Sequence, residues 1–190
     1  VDEANRGLEA EDMPERIHLI KNNVDSAGNS FGCHENYLSR RRRDFRARVD
    51  SLVPFFITRQ VLTGAGHIRK QPGGAVYEIS QRADQMWDAI SSASTRSRPI
   101  VNTRDEPHGD IEKYRRMHVI VGDSNMSQTS TALKFATTEM LLVMIEDGVI
   151  MPDLKLQDPM RSIREISHDV SLKTTVELEN GRMRTALQIQ

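Results

Sequence analysis

The apolar residues of this chain fall into runs of strand length or into helical stripes, and nowhere into one long stretch. That patterning constrains the fold more than any residue count, because side chains of period 2 and period 3.6 cannot occupy the same segment. Residues 17–21 and 31–38 read as two strands about a NNVDSAGNS turn, whose Asn, Asp, Ser and Gly satisfy backbone groups locally. Residues 75–80, 100–104 and 117–121 read as further strands, with residues 81–88 a short helical or irregular piece. Residues 176–189 pivot on Asn180-Gly181, the strongest short hairpin signal.

Helical spacing appears three times. From Phe45, the positions Val49, Leu52, Val53, Phe56 and Val61 share a stripe, Pro54 can open a new turn and Gly64 can end it, which predicts one kinked helix or two. Ser127 or Thr129 caps a long helix to Asp147, with Leu133, Ala136, Met140, Leu141, Met144 and Ile145 expected to face a core. Asp158-Pro159, a cap followed by a first-turn proline, opens a helix through Met160, Ile163 and Ile166. Strands separated by both helices and hairpins predict an α+β fold with a largely antiparallel or mixed sheet.

Composition narrows the function classes. The 190 residues suit one ordinary domain, and 26 basic against 27 acidic side chains, a net charge of −1, argue against nucleic-acid or membrane partners. Hydrophobic residues are only 37% of the chain, but their periodic placement opposes disorder. A single cysteine, Cys33, excludes an internal disulfide framework, no Cys/His set has zinc spacing, and together these suit a reducing cytoplasm. No basic and apolar leader opens the chain, and no apolar run approaches the roughly 20 residues of a membrane span. Val1 in place of a start methionine and the closing TALQIQ, which reads like a strand or the entry to another element, suggest truncation at both ends.

Chemistry is concentrated in residues 32–37 and 96–123. In an extended segment His34 and Asn36 project together while Cys33, Glu35 and Tyr37 point the other way, giving a polar row beside glycine. The competing reading is a set of hydrogen-bonded residues on an exposed strand. Arg96, Arg98 and Arg104 share parity with Asn102, and guanidinium forks projecting together match phosphoryl oxygens, although ion pairs to Asp105 and Glu106 are the alternative. His118 opens an otherwise apolar strand, His108 follows a carboxylate pair, and His168 sits near a helix end where it can meet the C-terminal carbonyls. Asp105 and Glu106 point oppositely if extended, so they read as arginine partners and not as one metal site. The arginine run at positions 40–43, extended by Arg46 and Arg48, has no interleaved aromatics; it reads as a solvated loop or as a dock for an acidic partner. Residues 64–66, GAG, lack the continuation of a P-loop, and no GxGxxG is present.

The segments KNNVDSAGNSFGCHENYL, SLVPFFITRQVLTGAG, SQRADQMWDAISSASTRSRPIVNTRDEPH, YRRMHVIVGDSNMS and SIREISHD closely resemble the Pup ligase and Pup deamidase family, nearly end to end. The resemblance implies a fold like glutamine synthetase and the carboxylate-amine ligases, in which a curved, mainly antiparallel sheet flanked by helices cradles ATP and Mg²⁺. It implies phosphorylation of the C-terminal glutamate of Pup by ATP, then attack on the acyl phosphate by a substrate lysine, which marks proteins for proteasomal degradation. Pup and lysine-bearing proteins are the implied partners. The hydrolytic branch shares HENY and NTRDEPH, whereas Cys33 in GCHENY, SSASTRSRP and the SNM after Gly122-Asp123 resemble the ligase branch. A truncated chain that retains only partner binding is the further alternative.

By the same resemblance, residues 1–190 are the central part of the large catalytic domain. The glutamate-rich strand that supplies metal ligands and the aspartate taken as base would precede Val1, and a small domain would follow Gln190. Carried over position by position, His34, Asn36, Arg96, Arg98, Arg104, His108 and His118 are the implied nucleotide or substrate contacts, with no catalytic base and no metal ligand within the chain.

Overall fold

The computed structural model describes residues 1–93 and 97–190. Along the chain come α1 (Asp2–Ala10), β1 (Cys33–Arg40), α2 (Phe45–Thr58), α3 (Gln60–Thr63), β2 (His67–Gln71) and β3 (Gly74–Glu78). A 3₁₀ turn at Ala83–Gln85 leads to β4 (Asp88–Ser91), β5 (Pro99–Asn102) and β6 (Tyr114–Gly122). Then follow α4 (Gln128–Glu146), α5 (Pro159–His168), β7 (Thr175–Glu177), β8 (Met183–Thr185) and α6 (Ala186–Ile189).

The main sheet has the order β1-β6-β5-β4, antiparallel except for the β4–β5 pair, so the mixed α+β class read from the sequence is the one observed. Two separate hairpins, β2–β3 and β7–β8, flank it. Register follows burial: Glu35 lies opposite Val119 and Tyr37 opposite Met117, all buried, while Asn36 lies opposite His118. A slip of one residue would exchange these two sets between core and solvent. Under the sheet pack α2 and α5, joining Leu52, Phe56, Ile57, Ile163 and Ile166 to Val101, Met117 and Val119 in one core. Each such side chain contributes about 1.5–3 kcal/mol by leaving water.

Four sequence expectations are corrected. Residues 17–21 form no strand: Leu19 and Ile20 are 73% and 85% exposed, and hydrogen bonds from Lys21 to Asn125 and from Asn23 to Ser124 hold the segment that follows without a sheet partner. The stripe from Phe45 forms two helices and ends at Gly64 as expected, but the break falls at Arg59, whose side chain turns into the interior, and not at Pro54. Ser127 caps α4 as expected, but the helix turns Lys134, Thr138 and Ile145 inward and leaves Leu133, Ala136, Met140 and Met144 exposed. Polar groups at the sheet edge outbid the apolar stripe there, because Lys134 and Thr138 satisfy buried partners described below. Finally, the Asn180-Gly181 turn forms, but its second arm stops at Thr185, which starts α6 through a reciprocal capping box with Gln188. The polar strand β2, the short β4 and α1, which buries no residue fully, left no clear sequence signal. No helix among the described residues is long and apolar enough to cross a membrane.

Candidate functional site

The outer face of the sheet carries the polar row. From β1 come His34 and Asn36, from β6 His118 and Arg116, and from β5 Asn102, which is paired in register with His118. His118 Nε2 lies 3.2 Å from His34 Nδ1, with the rings 5.0 Å apart. One nitrogen must carry the shared proton and the other accept it, so the contact suits two neutral rings. Burial, then the Arg82 charge, holds His34 below the ordinary imidazole range. Burial, then His34 and Arg116, pushes His118 down to about 4. At neutral pH both rings are therefore uncharged hydrogen-bonding groups. Asn102 anchors the neighbouring loops, donating to Ala93 O at 3.1 Å and accepting from the Arg104 N–H at 2.9 Å.

The opposite face of β1 holds this row in place. Glu35 forms a buried ion pair with Arg59, accepts from the Tyr37 hydroxyl at 2.6 Å, and shares Arg59 Nη1 with Thr138 Oγ1, 2.9 Å away. Burial, then Glu35, keeps the Tyr37 phenol well above its usual range. Glycine is required at position 122, since a Cβ there would come within 2.5 Å of Glu35 Oε1. Beyond Gly122, buried Asp123 accepts from Ser80 Oγ at 2.9 Å and from the N–H groups of Ala65, Gln81 and Arg82. Desolvation raises its carboxyl pKa, opposed by those bonds. Lys134 Nζ reaches up from α4 to Asp123 O and Asn125 Oδ1, at 2.6 and 3.1 Å.

Of the residues singled out from sequence, His34, Asn36 and His118 come together on this face. Arg98 precedes β5, exposed, and donates to Gln85 Oε1 at 2.8 Å. Arg104 and His108 lie exposed on the loop after β5, which folds over Leu38 through Gly109. Arg96 lies outside the described residues. Asp105 and Glu106 act as arginine partners: Asp105 takes Arg41 through two bonds of 2.7 and 3.1 Å and meets Arg115, while Glu106 takes Arg104 at 2.6 Å and meets Arg116. The basic run is largely neutralised in the same manner, with Arg40 on Glu146 and Arg42 on Asp44.

Sequence reasoning missed Arg59, Arg82 and Arg116. Nothing in a one-dimensional pattern marks an arginine as buried; an arginine interrupting the apolar stripe of α2 was the one available hint. His168 turns from the helix end to Asp84, 3.1 Å away. With Glu78 these form the one cluster of metal-binding spacing among the described residues, their ligand atoms within 4.8 Å of one another, but Glu78 is already held by Arg69 and approached by His67. On the polar face, the strand residues offer imidazoles, amides and a guanidinium and no carboxylate. A hard cation such as Mg²⁺, which takes oxygen ligands, does not fit these residues alone.

The protein-family model described as Pup-ligase protein matches residues 1–190. The Pup--protein ligase of Sanguibacter keddieii is 60% identical over all 190 residues, which correspond to 42% of that protein, and that of a Nocardioides species is 57% identical over 99% of the chain, again 42% of the relative. The chain thus spans about two fifths of the length of the curated relatives it matches. A solved structure of the Pup ligase PafA in complex with ADP superposes with a TM-score of 0.80 at 50% identity, covering 99% of this chain and 41% of that one. A second, of PafA in complex with Pup, gives 0.79 at 49% identity, covering 99% and 37%.

Proposed function

The chain belongs to the Pup-ligase family, and from that membership we propose that it supplies the nucleotide-cradling wall of an ATP-dependent ligase that joins the C-terminal glutamate of Pup to lysines of other proteins. The observation that carries the reading is the paired row of His34, Asn36 and His118, uncharged, half-open and rigidly backed, with guanidinium groups at its ends. A relative solved with ADP and another solved with Pup support the nucleotide and the partner.

In the proposed reaction ATP phosphorylates the glutamate γ-carboxylate, and the lysine amine then attacks the acyl phosphate and releases phosphate. Such transfers depend on positioning and on compensating charge spread over phosphoryl oxygens. Asn36 and the two imidazoles orient oxygen atoms by hydrogen bonds without adding charge, and Arg98 and Arg104 offset charge from either end. His118, holding its proton only below about 4, is a poor match for removing a proton from a lysine of pKa about 10.4. The row is accordingly assigned to binding, with Mg²⁺ and the base supplied by other parts of the whole ligase. A cytoplasmic setting fits the lone thiol.

The test is conjugation by a chain extended to the length of its curated relatives, given ATP, Mg²⁺, Pup ending in glutamate and a lysine-bearing protein. An ATP-dependent conjugate is expected. Loss of preformed conjugates alone would assign the hydrolytic reaction instead, and neither reaction would leave partner binding only. Turnover of ATP by the 190 residues alone would overturn the placement of the metal ligands and base elsewhere.

A further inference from the structure

Away from the polar row, the buried carboxylate of Glu78 is short of partners. Glu78 is only 2% exposed, yet among the described residues it accepts a single hydrogen bond, from Arg69 Nε to Oε1. Oε2 accepts none; its neighbour is His67 Nδ1, 3.4 Å away. An ionised carboxylate offers about four acceptor sites and is costly to bury unless they are used. The Arg69 side chain that makes the one bond is itself 40% exposed, so it can leave for solvent.

Two further groups of metal-ligand type converge on the same carboxylate. His168 Nε2 stands 3.5 Å from Glu78 Oε1 and 3.1 Å from Asp84 Oδ1, and the three side chains offer atoms all within 4.8 Å of one another. They come from three elements: Glu78 closes β3, Asp84 lies in the 3₁₀ turn at Ala83–Gln85, and His168 ends α5. Backbone bonds fix the meeting, because the Ile79 N–H donates to Ser167 O at 2.9 Å and the Ser80 N–H to Ser167 Oγ at 3.1 Å. His67 is the cross-strand partner of Glu78 in the β2–β3 register. A cavity of about 440 Å³, lined in part by His67, Arg69, Glu78 and Asp84, adjoins the cluster and gives an ion a way in.

We propose that Glu78, Asp84 and His168 form a site for a divalent transition-metal ion of the zinc class, with His67 backing Glu78 from the next strand. Ligands about 2.0–2.1 Å from a tetrahedral ion stand roughly 3.4 Å from one another. The separations of 3.1 and 3.5 Å from His168 Nε2 to the two carboxylates are already close to that. An imidazole with two carboxylates suits such an ion better than it suits Mg²⁺, which calls for oxygen ligands. The ion takes the position of the proton that His168 and Asp84 share, with His168 in its Nδ1–H tautomer, and replaces Arg69 as the cation on Glu78. So bound, it ties the β2–β3 hairpin, the turn before β4 and the end of α5 together. The assignment is independent of the ligase reading, because none of these residues belongs to the polar row.

The experiment titrates the chain with Zn²⁺ by calorimetry, follows the imidazole signals by ¹H–¹⁵N NMR, and repeats the titration in the presence of Mg²⁺. Saturable shifts at His67 and His168 are expected, undiminished by Mg²⁺. Asp84→Asn and His168→Gln, both at half-open positions where the fold is not at risk, should each weaken binding about tenfold or more. Arg69→Gln should tighten it about two- to fivefold, the worth of the half-open ion pair that no longer competes. His18→Gln, at an exposed histidine far from the cluster in sequence, should leave it unchanged. Shifts at His34 and His118 in place of His67 and His168, or affinity that Asp84→Asn and His168→Gln lower no more than His18→Gln does, would overturn the proposal. So would Arg69→Gln binding no tighter than the unaltered chain, or Mg²⁺ displacing Zn²⁺ at equal concentration.

Discussion

The two faces of β1 use alternate residues of one short segment for opposite purposes. Glu35 and Tyr37 point down into a fully partnered network with Arg59 and Thr138, while His34 and Asn36 point up to an open row shared with His118. A carboxylate in the interior is tolerable only because a guanidinium, a hydroxyl and a shaped glycine surround it. Once those contacts are made, β1 cannot twist or slip without breaking them, so the row above is held by groups that need never touch a ligand. The difference teaches that rigidity and recognition here are set by neighbouring residues, and that each can be disturbed separately.

Glu35→Gln should have the largest effect. It leaves the Arg59 charge buried without its partner, a change that costs about 3–5 kcal/mol. Asn36→Ala, one residue along and facing outward, should stay within about 0.5 kcal/mol. Urea unfolding of both variants tests the contrast, and comparable losses would mean that the outer row is itself part of the fold's support. Lys134→Met comes next: it keeps the stem but leaves Asp123 O and Asn125 Oδ1 without their buried donor, at a cost of about 1–3 kcal/mol. A neutral outcome would show that α4 is held by its half-buried Leu141 and Leu142 alone.

A smaller effect depends on pH. In the folded chain His118 protonates only near 4, against about 6.5 when free, so between those values the unfolded state binds the proton more readily. Stability contributed by neutral His118 is present above about pH 6.5 and is lost as pH falls toward 4. His34, depressed in the same direction, adds to it, while Asp123, whose raised pKa acts with opposite sign, opposes it. His118→Asn should flatten the wild-type decline of melting temperature across that window, and an unchanged slope would exclude the histidine pair as the outer face's acid-sensitive element.

The same contrast explains what was legible in the sequence. The alternation within GCHENY placed His34 and Asn36 together because period 2 is a backbone property, and the caps at Ser127 and Asp158 and the Asn180-Gly181 turn are local chemistry that needs no tertiary context. The inner network was not legible. Lys134 and Thr138 interrupt a stripe that reads better without them, and only the buried acceptors at Asp123, Asn125 and Arg59's fork turn that face of α4 inward. Residues 17–21 failed for a related reason: apolar composition proposes a strand, but a strand also needs an edge to pair with. Arg82, buried against Gly32 at the end of the row, looks in sequence like any surface arginine.

Arg104→Ala is the smallest expected effect and the one that sharpens the division between the open face and the interior. Arg104 is exposed and bonded to an equally accessible Glu106, so solvent already screens the pair and removing it should change stability by only about 0–1 kcal/mol. Its loss also frees Glu106 to turn fully to Arg116, whose guanidinium lies 3.8 Å away, which should offset part of the lost pairing. Thermal melts at low and high salt check this: a small loss that shrinks with added salt is expected. A loss above about 1 kcal/mol that salt does not reduce would mean that the loop after β5 is a structural brace, and would move Arg104 from the open face's account to that of the interior.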